Sequence, residues 1–193
     1  MNRDGNYEDY RQVQIEDGVR FQDFVVDLAW QAGLVIAQYA SKTYQLAVGE
    51  SRSGVEIKYD KKYKTTGNLC IETAEKARPR PGDYAKSGIM REGHWLYAIG
   101  DYDTVFFFPN NFLRALYEAS NGNGKPKYRR YETPTSQGFL LPDEDGRKYA
   151  AMVLWPKASG KVESVVGDLR RLADELHAAL LIPPNQLSLF SQP

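Results

Sequence analysis

The stretch on which the fold turns is Gly49-Glu50-Ser51-Arg52-Ser53-Gly54-Val55-Glu56-Ile57-Lys58-Tyr59-Asp60. Ser51-Arg52-Ser53-Gly54 is turn chemistry, and beyond it Val55, Ile57 and Tyr59 alternate with Glu56, Lys58 and Asp60. Side chains two apart on a strand share a face, so Glu56 and Lys58 point the same way, opposite Val55 and Ile57. Upstream, Tyr44, Leu46 and Val48 alternate with Gln45, Ala47 and Gly49, and that run ends at Glu50. A strand, a tight turn and a second strand bring Glu50 back beside Glu56 and Lys58. Carboxylate oxygens are the ligands that Mg²⁺ or Mn²⁺ takes, with waters and substrate phosphates completing the shell. A lysine beside such an ion stabilises charge developing on a phosphate or orients the attacking water. This is the chemistry of phosphodiester hydrolysis. Alternating charge also fits any half-solvated strand, and Asp60-Lys61-Lys62 repeats the acid-x-lysine spacing in the same chain.

Working outward, Phe21, Val25, Leu28, Ala32, Val35 and Ile36 recur at helical spacing and predict a helix of about twenty residues behind a loose lead-in over residues 1–20. After the basic loop Lys61 to Gly67, Asn68-Leu69-Cys70-Ile71-Glu72 is expected to add a third strand to a meander. Lys76 to Met90 reads as a loop. Trp95 to Ile99 and Thr104 to Phe108 read as strands, and Asn110 or Asn111 caps a helix to about Ala119. A Gly/Pro/Lys/Arg-rich insertion follows over Ser120 to Gln137. Gly138 to Leu141 and Tyr149 to Trp155 are expected to pair as a hairpin across Asp143 to Gly146. The stripe from Val162 through Val165, Val166, Leu169, Leu172 and Leu176 to Leu180 predicts a last helix, stopped by Pro183-Pro184. The fold class expected is α/β: one domain over residues 21–182 with a central mixed β-sheet flanked by helices, then a tail over residues 183–193.

Composition narrows the function. The chain has 193 residues, with 25 Lys plus Arg against 25 Asp plus Glu. A net charge of zero excludes holding nucleic acid by bulk charge but permits a local basic groove. Lys61, Lys62 and Lys64 follow the candidate site, and Arg129 and Arg130 stand among Lys125, Lys127, Tyr128 and Tyr131. These are the candidate contacts to a DNA backbone, with tyrosines available to stack on bases. One cysteine, Cys70, suits a reducing compartment, and two histidines cannot build a multi-histidine metal centre, so carboxylates would hold any metal. Met1 to Arg20 lacks an apolar signal core, and Phe24 to Ala40 is interrupted by Asp27, Gln31 and Gln38. No membrane partner and a cytoplasmic location are expected.

The order helix, strand, Glu50, strand with Glu56-Ile57-Lys58, then a third strand resembles the core of the PD-(D/E)XK nucleases, the restriction-endonuclease-like fold. Within it, Gly54 to Asp60, then Thr66-Gly67-Asn68-Leu69 with Ile71-Glu72, then Ser87-Gly88-Ile89 before Trp95 and Tyr97, resembles an intracellular branch found in phages and bacteria. The resemblance covers about Phe21 to Leu116. It implies that Glu50 and Glu56 bind Mg²⁺ or Mn²⁺ and that Lys58 is the catalytic lysine. It further implies auxiliary roles for Glu72 and for Asp23 or Asp27, since Gln22 occupies the helix position where many members carry an acid. The alternative is a non-catalytic DNA-binding or clamp-binding accessory protein that keeps the fold.

Near the end, Gln186-Leu187-Ser188-Leu189-Phe190 resembles the bacterial sliding-clamp-binding motif. Gln186 would hydrogen-bond the clamp (its β subunit), and Leu187, Leu189 and Phe190 would fill its apolar groove. A nuclease so docked is delivered to DNA by effective concentration rather than by its own affinity.

Overall fold

The computed structural model describes residues 3–37, 54–76, 78–79, 82–121, 126–157 and 162–166. The expected strand ending at Glu50, the last helix beyond residue 166 and the whole tail lie outside the described residues.

Helix α1 runs Arg3–Gln31. Residues 3–20, expected as a loose lead-in, are therefore helical. They carry no proline and many Glu, Gln and Arg residues, so the helix propagates outward from its packed half without needing an apolar stripe. The helix ends at Gln31, before Ala32, Val35 and Ile36, which the expected stripe includes. Gly33 takes φ 85, and the Leu34 and Gly33 amides donate to the carbonyls of Ala29 and Trp30 at 2.8 and 3.0 Å. That left-handed cap ends the helix.

Strand β1 is Val55–Tyr59, helix α2 Tyr63–Thr66 and strand β2 Asn68–Glu75. The two-residue β3 (Ala85–Lys86) and a 3₁₀ turn (Gly88–Met90) punctuate the expected loop. Strands β4 (Leu96–Gly100) and β5 (Val105–Pro109) and helix α3 (Asn110–Asn121) follow the sequence pattern closely. Then come β6 (Arg130–Glu132), β7 (Ser136–Pro142), α4 (Asp143–Tyr149), β8 (Met152–Pro156) and β9 (Val162–Val166).

The described strands form two sheets, ordered β1-β4-β5-β8-β9 and β3-β2-β7-β6. The first is mixed: β1 and β4 are parallel, with Val55 opposite Leu96 and Glu56 opposite Tyr97, and the remaining pairs are antiparallel. Three expectations fail here. The strand Asn68–Glu75 forms, but in the second sheet with β7 rather than in a meander with β1. Residues 143–149 are a helix rather than a hairpin turn, with Asp143, Glu144 and Asp145 at its positive end, so β7 and β8 lie in different sheets. Val162–Val166 is a strand paired to β8, because β-branched valines fill a pleated edge as readily as a helix stripe.

Both faces of the first sheet are buried, which is why β4 and β5 are almost continuously apolar. On one face Phe21, Val25, Leu28 and Ala29 of α1 pack against Val55, Ile57, Leu96, Ala98, Val105 and Phe107. On the other, Tyr97, Ile99, Phe106 and Phe108 pack with Leu69, Ile71, Phe139 and Leu141 of the second sheet and with Phe112, Leu113 and Leu116 of α3. The result is a layered α/β fold with a mixed sheet between helix and second sheet. Among the described residues no helix is long and apolar enough to cross a membrane.

Candidate active site

The alternation in β1 settles where its polar side chains go. Val55 and Ile57 belong to the layer under α1, so Glu56 and Lys58 emerge on the opposite face, toward the second sheet. Lys58 Nζ lies 3.0 Å from Glu56 Oε1 and 3.0 Å from Glu72 Oε1. Glu72 stands on β2, so one ammonium ties a carboxylate of each sheet together. Of the expected group, Glu56 and Lys58 lie together on one face, Glu50 is outside the described residues, and Glu72, expected only in an auxiliary role, meets Lys58 by contact between sheets.

Glu72 is held from three sides. Ser87 Oγ donates to its Oε1 at 2.9 Å and Ser136 Oγ to its Oε2 at 3.0 Å, with the Tyr131 hydroxyl 3.4 Å from Ser136 Oγ. Glycine makes this packing possible. At Gly88, with φ +52, a Cβ would come within 2.2 Å of the Glu72 carbonyl oxygen. Gly138 lies opposite Glu72 in the β2–β7 ladder, and a Cβ there would meet the Ile71 carbonyl oxygen at 1.9 Å. Glycine alone permits both approaches.

The electrostatics divide the two carboxylates. Glu56 is only 2 % exposed, and burial pushes its pKa up against the opposing pull of Lys58. Burial pushes Glu72 the same way, but Lys58 and the two serine hydroxyls outweigh it and hold Glu72 below its ordinary value. Burial would lower the Lys58 pKa, yet Glu56 and Glu72 together keep it well above normal, so the ammonium stays charged. Two buried atoms of this cluster have no hydrogen-bond partner among the described residues: Glu56 Oε2 and the Tyr97 hydroxyl.

The other candidate residues are less concentrated. Glu50 lies outside the described residues, as do Gln186, Leu187, Leu189 and Phe190. Asp23 and Asp27 are exposed on α1, across the sheet from Glu56, and do not join it. Their placement follows from the helix presenting Phe21, Val25 and Leu28, not its acids, to β1. Among the described residues no three acidic, histidine or cysteine side chains gather as a metal site. Lys61 and Lys64 are each engaged by a carboxylate, Asp17 and Asp103 respectively, while Lys62 and Arg129 are exposed. Arg130 lies over the Tyr117 ring at 4.9 Å and lines a cleft of about 240 Å³ with Tyr117, Tyr131 and Gln137. Nothing in the spacing of the chain marks Ser136 or Tyr97 as members of the cluster. They enter it through contacts across the β2–β7 and β1–β4 pairs, Ser136 to Glu72 and Tyr97 beside Glu56, which join residues 64 and 41 positions apart.

The chain matches no family model, and neither a characterised protein nor a solved structure is detectably similar to it.

Proposed function

We propose that this protein is a divalent-metal-dependent DNA endonuclease that hydrolyses phosphodiester bonds at the Glu56–Lys58 centre. The observation that carries the reading is the pairing of a buried carboxylate, one oxygen of which lacks a hydrogen-bond partner among the described residues, with a lysine held in place by a second carboxylate. An acceptor oxygen left open in a buried setting is costly unless something satisfies it, and a hard cation does so. Glu56 Oε2, with Glu50 from the preceding segment, would hold Mg²⁺ or Mn²⁺. Such an ion supplies Lewis-acid polarisation of the phosphoryl oxygens.

The chain's own residues do the rest. Glu72, clamped by Ser87 and Ser136, fixes the Lys58 ammonium beside Glu56. Lys58 spends two N–H bonds on these carboxylates and keeps the third for the attacking water or a phosphoryl oxygen. In the reaction the water oxygen bonds to phosphorus and the ester P–O bond breaks. A water proton goes to solvent, and the leaving oxygen takes one from solvent. Burial of Glu56 strengthens each of these electrostatic contacts. The resemblance to PD-(D/E)XK nucleases points the same way, and the tail motif adds recruitment by the sliding clamp.

The accessory-protein reading keeps one specific support: the second acid of the cluster, Glu72, is tied up by Lys58, Ser87 and Ser136, and among the described residues no three acidic, histidine or cysteine side chains gather that could hold a metal. The two are separated by incubating circular, linear and branched DNA with the protein and Mg²⁺ or Mn²⁺, with and without bacterial clamp. Cleavage by wild type that is lost in Glu56→Gln supports the enzyme. Binding of DNA or clamp that survives Glu56→Gln, with no cleavage under any condition, supports the accessory protein.

A further inference from the structure

The Tyr97 hydroxyl is the second atom of the cluster that lacks a hydrogen-bond partner among the described residues. Tyr97 is 0 % exposed, and its ring sits among Ile99, Phe106 and Phe108 in the core between the sheets. Its hydroxyl has no hydrogen-bond partner among the described residues. A buried hydroxyl in that position works against stability, and phenylalanine would fill the same space without it. The register explains where the oxygen goes. Tyr97 stands directly across from Glu56 in the parallel β1–β4 pair, so both side chains leave the sheet on one face. The titratable groups that act on it are Lys58, Glu72, Glu56 and Tyr131, the members and neighbour of the candidate site.

We infer that Tyr97 is a further catalytic residue of this centre: its hydroxyl and the third N–H of Lys58 together hold the attacking water. The inference rests on the phosphodiesterase reading and adds to it the group that aims the nucleophile. Lys58 donates to the water oxygen, and Tyr97 Oη accepts one of the water's hydrogens. That leaves a lone pair of the water oxygen to face phosphorus. A buried water needs two to four polar partners, and these two groups lie on adjacent strands and leave the sheet on the same face.

The test compares Tyr97→Phe with Tyr63→Phe, a buried tyrosine whose hydroxyl is already satisfied by Asp143. In metal-free buffer Tyr97→Phe is expected to unfold at the wild-type temperature or above it, whereas Tyr63→Phe unfolds below it. With Mg²⁺ and plasmid DNA, Tyr97→Phe is expected to lose about 10²-fold in kcat with little change in KM, the scale seen when one oriented polar group is removed from a reacting centre. Tyr63→Phe should cleave as wild type does. A Tyr97→Phe protein that cleaves at the wild-type rate overturns the role of Tyr97 and leaves the nuclease reading standing. One that unfolds several degrees lower in metal-free buffer reveals a structural partner for the hydroxyl and also overturns it. A wild type that cleaves no DNA with either metal overturns the underlying reading and this inference with it.

Discussion

Replacing Lys58 with methionine keeps most of the side-chain volume and removes the charge that joins the two sheets. Each of its two contacts is 3.0 Å long. At an effective dielectric of about 20, a unit pair at that distance attracts by about 5 kcal/mol, most of which is offset by desolvating the ammonium. Removing one partner of a buried pair nevertheless costs about 3–5 kcal/mol, because the remaining charge is stranded. The lower end applies here, because the Lys58 side chain is 30 % exposed and Glu56 can escape by taking a proton. About 3 kcal/mol should lower the midpoint of thermal unfolding by about 6–12 °C in a chain of this size. The pH dependence is a sharper test. Glu56 has a raised pKa in the folded state, so the stability linked to its proton is present in acid and lost as pH rises through that value. Without Lys58 the raise grows, so the variant loses more at neutral pH than in acid. Glu72 has a lowered pKa, so its contribution is present above the ordinary carboxylate range and lost as pH falls through the folded value. Lys58 is the first of the groups that lower it, so this contribution too shrinks in the variant at neutral pH. Both effects predict a gap between wild type and variant that is wide near pH 8 and narrows toward about pH 4.5. Unfolding followed by circular dichroism at both pH values, with chelator present, measures it. A gap below about 1 kcal/mol at the higher pH, or one that widens on acidification, would refute the bridging role.

Three further outcomes are expected. Gly88→Ala puts a Cβ 2.2 Å from the Glu72 carbonyl oxygen at φ +52 and should destabilise by about 3 kcal/mol, read by urea denaturation, with loss of cleavage as Ser87 and Glu72 shift. Tyr63→Phe removes the hydroxyl that donates to Asp143 and should cost about 1 kcal/mol in the same assay. Removing Gln186 to Pro193 should leave cleavage of free DNA unchanged and abolish binding to immobilised bacterial clamp, measured by surface plasmon resonance.

Strand β1 was legible because its alternation is strict and its turn signal is unambiguous; period two alone puts Glu56 and Lys58 on one face. The β4–β5 hairpin and α3 were equally plain. Partner choice was not. Asn68–Glu75 carries a correct strand signal, but a strand's own residues do not say which sheet it joins, and β2 pairs with β7, some seventy positions away. Glu72 therefore meets Lys58 from the other sheet, not from the next strand of a meander. Val162–Val166 fits both a helical stripe and a strand, and its pairing with β8 decided the matter. The first half of α1 has no apolar period to find, and its helicity comes from propensity and from growth off the packed half. Ser136 and Tyr97 could not be found from spacing at all, since each reaches the cluster through a long-range register.

The most direct test of the central claim is the rate at which wild type and Glu56→Gln cut supercoiled plasmid in Mg²⁺ and in chelator. Glu56→Gln keeps the shape of the side chain and leaves Lys58 its bond to Glu72, so a folded protein is assayed in both arms. The account predicts that wild type cuts only with metal and that the variant is slower by about 10²-fold or more. Equal rates in the two proteins, or cutting that persists in chelator, would contradict it.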